Sequence, residues 1–186
     1  MNGKNTAVFG IYRDTVSLGG GLERLRSSGF RSTDVSVLMP ENIGTKDFAH
    51  KRDTKAPEGA TAGAASGAVI GGALGWLVGV GALAIPGFGP FIAAGPLMGL
   101  LAGVGAGGTV GGIAGALIGM GIPEYEAKRY EGRVKSGGIL LSVHCDNSDW
   151  VDKAKRVLEQ SGAEEVASAG EAAADYAMSE RPASRI

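Results

Sequence analysis

The chain is short of the side chains that do chemistry. Its 186 residues include one cysteine, Cys145, and two histidines, His50 and His144. A lone cysteine excludes an intramolecular disulfide and suits a reducing compartment. There is no Cys-x-x-Cys or His-x-x-x-His spacing, so the usual ligand framework for zinc is missing. His144-Cys145-Asp146 gathers the metal-capable types, but successive residues of a strand point to opposite faces and do not converge on one ion. Cys145 as a nucleophile would need a base, and His50 lies in a polar linker with no spacing that brings it near. A net charge of −1 and a pI near 6.1 leave no basic footprint for nucleic acid. The opening Met1-Asn2-Gly3-Lys4-Asn5 has no apolar core, so no cleaved secretory signal is expected.

The largest absence is of charge. From Gly59 to Pro123, 65 residues contain no Asp, Glu, Lys, Arg or His. Much of the chain's glycine, 33 residues in all, falls here, and it recurs every fourth residue. One ladder is Gly59, Gly63, Gly67, Gly71, Gly75 and Gly79; the other is Gly95, Gly99, Gly103, Gly107, Gly111, Gly115 and Gly119. Between them Pro86, Gly87, Phe88, Gly89 and Pro90 form a run that must turn. On a helix, a period of four drifts by about 40° per step and gives a slowly winding groove suited to close, oblique packing. This spacing predicts a helical hairpin with arms Ala60–Ile85 and Phe91–Ile122. Glycine inside a helix costs roughly 1 kcal/mol in water, so lipid or a dense protein interior has to compensate.

Either environment suits the length. An arm of about 25 residues measures roughly 37 Å, against about 30 Å of bilayer hydrocarbon. Lys46, Lys51, Arg52 and Lys55 precede the stretch, Lys128, Arg129 and Arg133 follow it, and the turn is uncharged. If the hairpin inserts, the positive-inside bias places both termini in the cytoplasm. Tyr125, Lys128, Arg129, Tyr130 and Arg133 then become candidates for the membrane–water boundary. The plainer alternative is a solvated helix that packs on a sheet. For the hairpin itself the alternative is a soluble cytoplasmic oligomer with its apolar arms buried together.

The flanks look like ordinary globular sequence. Thr6–Tyr12 is a β-prone run. Asp14 or Thr15 caps a helix with Val16, Leu18, Leu22 and Leu25 as its apolar face, ended by Gly29 with Phe30 folding back. Gly19-Gly20-Gly21 lacks the Lys-Ser/Thr of a phosphate loop and fits a loosened helix start better. Thr33–Met39 alternates into Pro40 as a second strand. After the uncharged stretch, Glu124–Lys135 is a charged helix with Tyr125, Tyr130 and Val134 as contacts, broken by Gly137-Gly138. Ile139–Cys145 is a strand, Asn147 or Ser148 caps Trp150–Gln160, Gly162 stops that helix, and Glu164–Ala169 is a last strand. Leu25-Arg-Ser-Ser-Gly29 and Leu158-Glu-Gln-Ser-Gly162 occupy equivalent places, so two β-α-β halves form one α+β domain on the ferredoxin-like split plan, with the hairpin between them. The expected divisions are a first half over 1–45, a linker over 46–58, the hairpin over 59–122, the second half over 123–170 and a disordered tail over 171–186.

Thr6–Val16, the helix end Leu25–Phe30, the Gly/Ala ladder, and Ile122–Val143 followed by Trp150–Val166 together resemble the bacterial general-stress and low-temperature-induced proteins, over about Thr6–Gly170. That resemblance implies a small domain with a Gly-rich hydrophobic insert, associated with heat, salt or cold stress. The split plan is also similar, in architecture alone, to the membrane-anchored small subunit of quinol-oxidoreductase complexes. Neither likeness implies catalytic residues. The expectation is a non-enzymatic protein with no cofactor or metal. Its partners would be copies of itself and membrane lipid at the cytoplasmic membrane, without nucleic acid. The alternatives are the soluble assembly and a small-ligand or protein-binding regulatory module.

Overall fold

The computed structural model describes residues 6–41, 75–77, 81–85, 89–97, 101 and 112–170. These form a mixed α+β unit: β1 (Thr6–Tyr12), α1 (Thr15–Ser27), a 3-10 turn (Ser32–Asp34), β2 (Val35–Pro40), β3 (Gly81–Ile85), β4 (Gly89–Ala94), α2 (Gly112–Gly119), α3 (Glu124–Lys135), β5 (Ile139–Cys145), α4 (Ser148–Gln160) and β6 (Glu164–Gly170). The six strands make one sheet in the order β3-β4-β2-β5-β1-β6. Every neighbouring pair is antiparallel.

The helix ends are written in the local sequence. Asp14 caps α1 by accepting from the Ser17 amide at 2.8 Å, and Asn147 caps α4 by accepting from the Trp150 amide at 3.1 Å. All four helices among the described residues stop the same way. Gly29, Gly121, Gly137 and Gly162 each have φ between 89° and 96°, and the residue after each donates its amide back to Leu25, Leu117, Arg133 and Leu158 respectively. This is the Schellman arrangement, which needs a left-handed residue and so favours glycine. The matched ends of α1 and α4 are the two segments whose sequences echo one another.

Side chains alternate across the sheet into two cores. On one face Phe9, Ile11, Leu38, Phe91 and Leu140 lie under α2 and α3, which contribute Ile113, Leu117, Ala127, Tyr130 and Val134. On the other, Val8, Tyr12, Val35, Val37, Leu141 and Val143 lie under α1 and α4, with Leu18, Leu22, Leu25, Ala154 and Leu158. Two expected contacts are corrected: Val16 is 59% and Tyr125 78% exposed, and Thr15 and Ala127 are buried in their neighbourhood instead.

The expected helical hairpin is also corrected. Its centre is a pair of strands, β3 and β4, joined across 86–88, with Gly89 and Pro90 opening β4. Three local features oppose a helix there. Pro90 and Pro96 lack a backbone donor and fix φ, Phe91-Ile92 favours a strand, and Gly95 has φ +71°. A Cβ at Gly95 would also run into the Val35 carbonyl oxygen. The decisive feature is not local. Beyond β5, β2 would present a row of unpaired amides and carbonyls, and β4 satisfies them from Val37↔Ala94 to Pro40↔Phe91. The Ser36 hydroxyl seals the corner, accepting from the Leu97 amide at 3.2 Å.

Of the ladder glycines, Gly115 and Gly119 lie on α2, Gly75 is exposed, and Gly95 makes the turn after β4. No atom stands within 4 Å of a Cβ built at Gly75 or Gly119. Gly59, Gly63, Gly67, Gly71, Gly79, Gly99, Gly103, Gly107 and Gly111 fall outside the described residues, as do Pro86, Gly87 and Phe88, the linker 46–58 and the tail 171–186.

Candidate functional site

The densest polar constellation is a seam between α3 and β6. Ala127, Tyr130 and Val134 turn into the core, which brings Arg129 and Arg133, one helical turn apart, alongside the final strand. Arg129 Nε lies 2.9 Å from Glu165 Oε2, and Arg133 Nε lies 2.8 Å from Glu165 Oε1. Arg133 Nη2 donates to Glu164 Oε2 at 2.8 Å, and Arg13, just past β1, pairs with the other oxygen of Glu164. The Tyr130 hydroxyl donates to the Glu165 carbonyl at 2.9 Å. Arg133 Nε and Glu165 Oε2 are buried yet poorly aligned for directed hydrogen bonds, so the seam acts there through proximity of charge.

The seam holds an unusual backbone. Glu165, at φ 55°, is the one non-glycine residue with positive φ among the described residues. The β1–β6 register shifts between Phe9 and Ile11, as a bulge requires. Burial, followed by the charges of Glu126 and Glu165, pushes the Tyr130 hydroxyl up to about 12. Next to the seam, Glu131 accepts from the Ala114 amide at 2.8 Å and pairs with Lys135 at 2.8 Å. A carboxylate is thereby seated at the start of α2, where the helix dipole favours it.

The five boundary candidates separate accordingly. Arg129, Tyr130 and Arg133 are committed to β6, Lys128 pairs with Glu124 on its own helix, and Tyr125 faces outward. Glu164 and Glu165 belong to no motif; the acidic doublet and the Arg129/Arg133 spacing are the signal the sequence holds for them. Chemically the seam fastens. Its acids are bound to arginines, and no nucleophile is presented within it.

The remaining polar groups are dispersed. Tyr12 Oη and Ser161 Oγ lie 2.6 Å apart, with Gly21 above them leaving no room for a Cβ. Gly19-Gly20-Gly21 is interior helix, not a loop. Cys145 is buried with the α1/α4 core, and His144 sits 3.3 Å from Asp146 at the strand end. Among the described residues no three His, Cys, Asp or Glu side chains converge as metal ligands. No helix there is long and apolar enough to cross a membrane. Comparison with protein-family models, with curated proteins and with solved structures finds no match.

Proposed function

We propose that this is a non-enzymatic, self-associating structural protein, of the bacterial stress-protein kind that its sequence resembles, whose uncharged stretch builds the assembly surface from within a folded domain. The observation that carries this is the pairing of β3 with β4 and of β4 with β2, in the same sheet as the strands of both flanks. A two-span hairpin needs its turn on the far side of a bilayer. Strands at that turn, joined to β2 through β4, keep it beside the domain. The soluble alternative therefore fits better than insertion.

The strand order β2-β5-β1-β6 with α1 and α4 on one face supports a ferredoxin-like core, extended by the β3–β4 hairpin and covered on its second face by α2 and α3. Glycine-ladder packing between copies fits this reading, since α2 exposes Ile118 and Gly119 with Gly115 half-buried beside them.

Fractionation tests it. The protein should leave the cell pellet without detergent after an alkaline wash and run above monomer mass in native mass analysis. Retention until detergent is added would restore the membrane alternative, and a monomer at all concentrations would refute self-association.

A further inference from the structure

The two edges of the sheet are built differently. β6 is guarded: its register is bulged against β1, Glu165 sits at positive φ, and Glu164 and Glu165 hold arginines across it. A bulge and inward-held charges are the devices that stop an edge from accepting another strand. At the opposite edge β3, Gly81-Ala-Leu-Ala-Ile85, has no charge, no proline and no register shift. Among the described residues it pairs only with β4.

The outward-facing groups of β3 can be assigned. Ala84 lies opposite Pro90. Proline has no amide hydrogen, so this must be a non-hydrogen-bonded pair. With a period of two, Ala82↔Ile92 is of the same kind, and Gly81, Leu83 and Ile85 bond to β4. The N–H and C=O groups of Ala82 and Ala84 therefore point away from the sheet. The same parity leaves Pro40↔Phe91 non-hydrogen-bonded on the β2 side, as Pro40 also requires.

We infer that β3 is the association edge, and that its partner is β3 of a second copy, antiparallel about a two-fold axis at Leu83. In that register Ala82 of one copy faces Ala84 of the other, and vice versa. Each pair exchanges both of its backbone hydrogen bonds, so every outward group of the two residues is satisfied. The uncharged strand opposes another uncharged strand, which avoids like-charge pairs and stranded ions. The exposed side chain at Ala82 is small, which removes steric opposition to a close approach. The two sheets join edge to edge, with the guarded β6 edges at the ends, so assembly through this contact closes at a dimer. This inference rests on the self-association proposed above and names the surface responsible.

The test is Ala82→Pro, with Ala82→Ser as control. Proline removes one outward donor and spares every bond to β4; edge strands tolerate it there. Serine keeps the donor. In native mass analysis the wild type and the serine variant should be dimeric at micromolar concentration. The proline variant, with unchanged circular dichroism, should dissociate at least about tenfold more readily. A folded proline variant that dimerises like wild type overturns the β3 edge and leaves self-association standing. A wild type that is monomeric throughout overturns both. If the proline variant does not fold, hydrogen exchange on the wild type decides. The Ala82 and Ala84 amides should be protected in the dimer and exchange freely on dilution to monomer. Protection that persists in the monomer would mean a segment of the same chain covers the edge, and no protection in the dimer would mean that another surface joins the copies; either refutes the inference.

Discussion

Gly20 and Gly21 are neighbours on α1 with opposite constraints. A Cβ at Gly20 meets nothing within 4 Å, whereas one at Gly21 collides with the Tyr12 hydroxyl. Gly20→Ala should therefore stabilise by about 0.5–1 kcal/mol, the helix-propensity gain. Gly21→Ala should destabilise by about 1–3 kcal/mol through overpacking. Urea denaturation of the two variants checks both signs. Tyr130 makes a second prediction at this scale. Its hydroxyl is raised from 10.0 to about 12, chiefly by burial, so the folded state holds the proton after the unfolded chain has lost it. That contribution is complete below pH 10 and is lost as pH rises through 12. Tyr130→Phe should lower stability by about 1 kcal/mol at neutral pH through the lost bond to the Glu165 carbonyl. It should also flatten the decline between pH 10 and 12. Tyr12 is shifted upward as well, mainly by burial, so some decline should persist; unfolding midpoints at pH 9 and 11 measure the difference.

At the scale of elements, the β6 seam and the insert show what local sequence can carry. Strand β1, helix α3 and strand β5 run over the residues their periodicity and capping indicated, and Gly29 and Gly162 end helices as expected. These signals lie within a few residues of what they control. The partners of Arg129 and Arg133 lie some thirty residues downstream, so within their own window the same side chains fit a lipid boundary. Residues 81–94 are the harder case, because short uncharged runs fit a helix ladder and a strand alternation equally well. The unpaired edge of β2 decided between them, and no window around Gly81 contains that fact. The seam yields a third prediction. Arg133→Met keeps the aliphatic stem but removes the hydrogen bond to Glu164 and the ion pair with Glu165. It should cost roughly 1 kcal/mol, the upper end for a partly exposed network. The deficit should shrink in about 1 M salt, as urea titrations with and without salt would record.

At the scale of the molecule, one placement is central: the middle of the uncharged stretch contributes two strands, β3 and β4, to the same sheet as both flanks. Leu38 and Ala93 are register partners on β2 and β4. By the parity that Pro40 and Pro90 impose they form a non-hydrogen-bonded pair, whose Cα separation of about 4.5 Å lies within reach of a disulfide. The direct measurement is oxidative cross-linking of Leu38→Cys with Ala93→Cys in a Cys145→Ser background, expressed in cells. The account predicts a rapid intramolecular disulfide in nearly all of the protein, seen as the loss of both thiols without a change in mass class. Two thiols that stay free and separately reactive under the same oxidant would place residue 93 away from β2, and would contradict it.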